Sequence, residues 1–379
     1  MKGHNLSLYF ILLLCSCHRS SRMPEEDVSG SARNDSELSY ANGFSFRKTE
    51  SYTYLTVFNP WSSDTLASYL LLKKNQPSPA LPAADYTITV PVKDIACLAS
   101  PGIGMITQLG ATNLISAAAD AERIYDSSLY HRFLSGKITN LGNSEVINTE
   151  AIIAHDPGLV LKYIFGGEEL IDARLRDAGI PVAYQLEFME PHPLGRAEWI
   201  KFIAAFIDRS ELADSLFQQI EKSYVHYSEL GKRQKNKPTV LDGSSYKGVW
   251  YAAGGESFPA RLYRDAGAEY FWENEKEKGS IAVSFESIIE NQIDADYWIG
   301  ASSGSKKELL AIESRYALLR AFKNNHVYYF GRRSNPNGGL DYYESGVIRP
   351  DILLKDLLWV FHPQLLEPEY MPVYIQHVL

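Results

Sequence analysis

The chain has 379 residues, 45% of them hydrophobic and 12% aromatic, enough for two domains of ordinary size with substantial cores. Its formal charge of −9 argues against a general nucleic-acid binder, which needs basic surface to neutralise phosphates. Charge and composition say little about fold.

The N-terminus, MKGHNLSLYFILLLCSCHRS, places Lys2 before an apolar run from Leu6 to Leu14. That run is too short to span a bilayer and has the layout of a secretory signal. Its end, LCSC, resembles a bacterial lipobox, which implies that residues 1–17 are a lipoprotein signal with Cys17 as the acylated residue. A plain signal peptide with incidental cysteines is the alternative. Several acyl chains at about 0.8 kcal/mol per buried methylene would hold such a protein on a membrane. Cys97 lies in the apolar run DIACLAS and reads as an inert core thiol, so no structural disulfide is expected.

Residues 18–44 form a polar segment that reads as a flexible tether with a reach of about 25–30 Å. The N-terminal α/β lobe is assigned to 45–193. YTYLTVF and YTITVPV have strand composition, and IACLAS is a short buried strand. A helix over GMITQLGAT and a strand at LISAAAD follow. EAIIAHDPG reads as a helical turn and a break, then LVLKY as a strand, LIDARLRDAGIP as a helix and VAYQL as a strand. Alternation of this kind means a parallel sheet with helices.

The stretch EPHPLGRAEWIKFIAAF turns from a proline-rich loop into an apolar helix, with Trp199, Phe202, Ile203, Phe206 and Ile207 at helical spacing. Ser210 is placed to cap the next helix, where Leu212, Leu216, Ile220 and Tyr224 form a stripe. At 1.5 Å per residue this helix is a rod of about 30 Å. Residues 194–232 thus read as a helical connector. The basic loop GKRQKNKP leads into a second α/β lobe, 233–379. It runs TVLDG, FPARLYRDAGAE, SFESIIENQ, ADYWIG, KELLAIESRYALLRAF, HVYYF and DILLKDLLWVF. The lobes echo one another: NTEAIIAHDPGLVL resembles SFESIIENQIDADYWI, with Glu150 and Glu286 in matching places.

No Walker A or G-x-S-x-G pattern occurs, and SPGIGM lacks the third glycine of a dinucleotide fingerprint. His131, His155, His192, His226, His326 and His362 are scattered without metal-ligand spacing, so no bound metal and no cofactor is expected. Ligands of open parallel sheets sit beyond the carboxyl ends of the strands. The groups there are Ser100, Pro101, Tyr163, Phe165, Glu187 and Met189 in the first lobe. In the second they are Trp250, Tyr251, Phe258, Arg332 and Arg333. Aromatic rings supply flat contact, and arginines supply forked donors for carboxylate or phosphate.

The motifs LASPGIGMITQLGATNLI, NTEAIIAHDPGLVL, AGIPVAYQLEFMEPHPLGRAEWIKFIAAF and FPARLYRDAGAEYF…VSFESIIENQIDADYWI occur in this order. With them the chain resembles, over about Ile95 to His362, the periplasmic substrate-binding lipoproteins of ABC importers for iron-siderophores, haem and vitamin B12. The end, NNHVYYFGRRSNPNGGLDYYESGVIRPDILLKDLLWVFHP, is similar to the Bacteroidetes-type version. The resemblance implies two Rossmann-like lobes joined by one rigid helix. It also implies a monomer anchored by lipid in the periplasm, and a chelate ligand: an iron-siderophore or haem, with a corrinoid as alternative. The implied partner is a permease dimer with its ATPase, docked through Glu150 and Glu286. The strands before Ile95 are longer than in many members, and the cleft loops match no single ligand subtype. Two other readings compete. An enzyme could use Glu187 and Glu190 as an acid–base pair, but these stand beside prolines with no partner group. A sensory or adaptor lipoprotein could use the same fold.

Overall fold

A computed structural model describes residues 38–62, 64–74 and 81–379. The signal segment, Cys17 and the tether up to residue 37 lie outside the described residues. The residues from Leu38 on are held rather than loose. Glu198, fully buried, accepts the backbone N–H groups of Ser39, Tyr40 and Ala41 at 3.0, 2.8 and 2.9 Å. Glu190, also buried, accepts those of Asn42 and Gly43 and the Trp199 indole N–H at 3.0 Å. Six donors on two carboxylates offset the cost of burying them. Glu190 is therefore a clamp between the chain entry and the connector, not half of an acid–base pair.

The first sheet is β1 (Phe44–Lys48), β2 (Tyr52–Phe58), β3 (Thr65–Lys73) and β4 (Tyr86–Val90), in that spatial order. The β1–β3 pairs are antiparallel, and β4 joins in parallel. It packs on the connector through aromatic rings: Phe44 meets Trp199 and Phe202, and Tyr69 meets Phe202 and Phe206.

The N-terminal lobe is built on β5 (Ile95–Cys97), β6 (Ile115–Ala118), β7 (Thr139–Asn140), β8 (Val160–Lys162) and β9 (Val182–Tyr184). All pairs are parallel, in the order β7-β6-β5-β8-β9. Strands buried along their whole length, such as Ile95–Cys97, explain the continuous apolar runs in the sequence. Cys97 is a buried free thiol whose pKa burial pushes up. The helix after β5 begins at Ser100, with Pro101 in its first turn, not at Gly104.

The connector comprises helices Pro193–Glu198, Ile200–Phe206 and Ser210–Lys232. Arg209, not Ser210, is the cap of the long helix. Its buried stripe is Ala213, Phe217, Ile220 and Tyr224, while Leu212 is 40% exposed and Leu216 only partly buried. The face turned inward is thus one residue on from the expected one in its first two turns. At Gly231 a Cβ would lie 2.3 Å from the Asp265 carbonyl, so glycine lets the helix Phe258–Asp265 approach closely.

The C-terminal lobe has β10 (Thr239–Asp242), a hairpin of β11 (Ser244–Tyr246) and β12 (Val249–Ala253), then β13 (Glu269–Tyr270), β14 (Ser280–Val283), β15 (Tyr297–Ile299), β16 (Val327–Tyr329) and β17 (Gln376–His377). The main sheet runs β13-β10-β15-β16-β17, parallel except for the last strand. A small antiparallel sheet, β11-β12-β14, packs beside it.

After β16 a strap, 331–348, crosses to the other lobe. Asn335 Nδ2 donates to the carbonyls of Glu122 and Ile124, both at 3.0 Å. Asn337 Nδ2 reaches Glu122 O and the Tyr130 hydroxyl. Glu344 accepts the backbone N–H groups of Tyr125 and Asp126 at 2.8 and 3.2 Å. A Cβ at Gly104 would lie 1.9 Å from the Glu344 carbonyl, which is why the PGIG turn of the first helix admits no side chain there. The chain then returns as the helix Pro350–Phe361, packed along the connector.

Candidate functional site

Both lobes present the carboxyl ends of their strands to a common cleft of about 810 Å3. In the N-terminal sheet the chain moves from β5 out to β6 and β7, then returns to the other side for β8 and β9. Between the ends of β5 and β8 the order reverses, and this is where open α/β sheets bind ligands. Leu98 to Pro101 follow β5, and Tyr163 and Phe165 follow β8; all line the cleft.

The expected contacts divide into two groups. Ser100, Pro101, Tyr163, Glu187 and Phe258 line the cleft. Met189, Trp250, Tyr251, Arg332 and Arg333 do not. Met189 ends a 3-10 turn whose neighbour Phe188 faces the cleft instead. Trp250 is fully buried in the outer core of its lobe, among Phe285, Trp298 and Tyr316. Its indole N–H donates to the Asp242 carbonyl at 2.8 Å, so it supports the cleft from behind. Tyr251, the next residue on β12, points the other way and lines a smaller neighbouring hollow. Arg332 is exposed outside the cleft. Arg333 is an anchor of the strap, bridged to Asp341 at 2.7 Å and lying over the Tyr125 ring at 5.1 Å.

The residue the sequence reading passes over is Arg196. It sits on the first connector helix and lines the cleft. One guanidinium nitrogen donates to the Phe188 carbonyl at 2.8 Å, and the plane lies over Phe258, 4.2 Å from the ring centre. No ion pair with a carboxylate forms among the described residues, although Glu187 lies near enough to favour its charge. Burial lowers its pKa, while the charge of Glu187 opposes the shift. A guanidinium fixed at one end by carbonyls and an aromatic face keeps donors for an anionic group. The sequence shows only its place in PLGRAEW, on the connector, and nothing in that motif says which way it faces.

Glu187 accepts the Tyr163 hydroxyl on one carboxyl oxygen, while the other is buried without a partner among the described residues. Burial raises its pKa, against the opposing effects of Tyr163 and Arg196. Lys162 also lines the cleft, but Glu169 at 2.8 Å and Asp172 at 3.2 Å neutralise it. Phe165, 71% exposed, and Tyr343, 57% exposed, offer apolar surface to a ligand. Among the described residues no group of three or more His, Cys, Asp or Glu side chains is placed to hold a metal ion.

Glu150 and Glu286 stand on the outside of their lobes. Each is the second residue of its helix, after the caps Asn148 and Ser284. Each is exposed, and each meets an arginine: Arg174 for Glu150, and Arg315 at 2.9 Å for Glu286. Hydrogen bonding to its own backbone N–H and to Arg315 lowers the Glu286 pKa.

Two α/β lobes, a long helix between them and a cleft at the strand ends are the architecture of a two-lobed binding protein. The chain belongs to the periplasmic binding protein family, whose model matches residues 95–333. Two lipoproteins of Methanocaldococcus jannaschii are similar to it. One is 23% identical over 81% of this chain and 78% of its own, and the other 26% identical over 78% and 76%. Among solved structures, a periplasmic heme-binding protein of Pseudomonas aeruginosa superposes with a TM-score of 0.57 at 15% identity, over 76% of this chain and 98% of that one. The periplasmic heme-binding protein RhuT of Roseiflexus sp. RS-1 gives 0.54 at 18%, over 72% and 98%. Both likenesses concern the fold. Among the described residues no helix is long and apolar enough to cross a membrane.

Proposed function

We propose that this chain is the substrate-binding component of an ABC importer. Anchored by lipid on Cys17 in the periplasm, it acts as a monomer. It takes a chelated metal, as an iron-siderophore or haem, into the cleft between its lobes. It then delivers this cargo to a permease dimer and its ATPase. The observation that carries the reading is Arg196, an arginine without a carboxylate partner among the described residues, facing a cleft with exposed aromatic surface. That pairing suits a bulky anionic ligand with flat apolar faces. Family membership and the heme-binding proteins of the same fold support it. Glu150 and Glu286, matched across the two lobes, are the proposed docking contacts.

The test is titration of the purified protein with haemin, ferrichrome and cyanocobalamin, followed by fluorescence quenching and native mass spectrometry. One-to-one binding of haemin or ferrichrome is the expected result. Binding of cyanocobalamin alone would move the cargo to the corrinoids, and binding of none would overturn the reading.

A further inference from the structure

The cleft does not end at the wall it shares with the C-terminal lobe. A second chamber of about 400 Å3 adjoins it, and Asp242, Pro259, Ser280, Tyr342 and Tyr343 line both. Its position follows from the sheet. The chain steps from β10 out to β13, then back to the other side for β15 and β16. Strand order therefore reverses between β10 and β15. Gly243 and Ser244 follow β10, Gly300 to Ser302 follow β15, and all five line this chamber. The crevice that receives ligand in such sheets is thus hollow in the C-terminal lobe as well. The main cleft occupies the corresponding crevice of the N-terminal lobe, between β5 and β8.

The chamber has a rigid floor. Trp250 and Trp298 donate their indole N–H groups to the carbonyls of Asp242 and Gly243 at 2.8 and 2.7 Å. Gly300, at φ +81°, lets the turn after β15 close on that floor. Its walls are aromatic, with Tyr251, Tyr263, Tyr329 and Phe330. The strap sets the partition. Tyr342 is stacked on Phe330 at 4.4 Å and 21°. Tyr343 meets Tyr342 edge-on at 5.0 Å and is otherwise more than half exposed, so its ring is the part of the wall open to a ligand.

We infer that the C-terminal chamber is a second subsite of the cleft, which takes an arm appended to the core of the ligand, with Tyr343 as the specificity-determining residue between the two. The ligand class is then a chelate or macrocycle carrying a flat or aromatic side arm, not a compact one. This rests on the importer reading above, taken with its corrinoid alternative for the cargo. Cobinamide and cobalamin are one macrocycle without and with a nucleotide arm, so they form a matched pair of probes. The full chain, its Ser302→Trp variant and its Tyr343→Ala variant are titrated with both, and with haemin and ferrichrome. Ser302 is exposed at the edge of the chamber, so the larger side chain fills the hollow without entering a core. The expected result is that the wild type prefers cobalamin to cobinamide. Ser302→Trp should lower that preference by about tenfold or more, and Tyr343→Ala should reduce affinity for cobalamin by a larger factor than affinity for cobinamide. Equal affinity for both corrinoids, equal losses in Ser302→Trp, or binding of haemin or ferrichrome alone overturns the second subsite and leaves the importer reading standing. Binding of no probe overturns both.

Discussion

The guanidinium of Arg196, on the connector, lies 4.2 Å from the centre of the Phe258 ring, on the first helix of the C-terminal lobe. The pair joins the element that spaces the lobes to the wall of the cleft. An arginine held in this way cannot swing out to meet a ligand, so it acts as a preset donor. Arg196→Ala should weaken binding of an anionic chelate such as haemin by about 1–3 kcal/mol. Arg196→Lys should recover only part of this, since a point charge replaces a fork. Isothermal titration of both variants checks it; equal affinity for wild type and Arg196→Ala would remove Arg196 from the site.

Trp250 belongs to the opposite category. Its burial predicts that Trp250→Ala costs about 3–5 kcal/mol of stability. Urea denaturation measures this directly. A variant as stable as wild type but unable to bind would restore Trp250 to the cleft.

How far this was legible depends on the kind of strand. Parallel strands buried on both faces appear as unbroken apolar runs, and IACLAS, LVLKY and VAYQL identify β5, β8 and β9 without help from tertiary contacts. The hairpin β11–β12 is different. Its residues alternate, its turn carries Lys247 and Gly248 at positive φ, and the stretch GVWYAAGGES reads as an open loop. As a loop it would place Trp250 and Tyr251 on the same surface, whereas period two sends one into the core and the other out. No element is assigned to residues 59–85 in the sequence, although β3 is the longest strand described. The connector was legible as a rod, but the direction of Arg196 depends on the turn at Glu187–Met189, a tertiary feature no local pattern encodes.

Gly104 should tolerate no side chain. A methyl group there would collide with the Glu344 carbonyl, and the strap would have to lift from the first helix. Overpacking of this kind costs about 1–3 kcal/mol. Gly104→Ala should lower the melting temperature and speed hydrogen exchange in 341–346; unchanged exchange there would mean that the strap is held elsewhere.

Glu344 gives the strap a pH dependence. Burial, reinforced by the charges of Asp341 and Asp126, pushes its pKa up to about 7, although two backbone N–H groups oppose the shift. The unfolded carboxyl titrates near its ordinary value of about 4.3. Between these two values the folded chain holds the extra proton, so stability falls as pH rises through that window. Glu344→Gln removes the titration. Denaturation at pH 5 and pH 8 should show wild type losing stability relative to the variant at the higher pH. A constant difference would mean that Glu344 is charged throughout.

Glu150 and Glu286 are exposed, and their arginine partners are exposed as well, so reversing both charges should leave folding and ligand affinity nearly unchanged. Glu150→Arg with Glu286→Arg should abolish ligand-dependent ATPase stimulation in a reconstituted transporter. Full stimulation by the double variant would refute docking through this pair.

The clamp of Glu190 and Glu198 on residues 39–43 has a mechanical meaning. The chain enters the folded body at the connector and not at the far edge of a lobe. Any pull on the N-terminus is therefore delivered to the hub from which both lobes hang, through five backbone N–H groups loaded together. A moored protein built this way can swing about its attachment point without prising its own cleft apart.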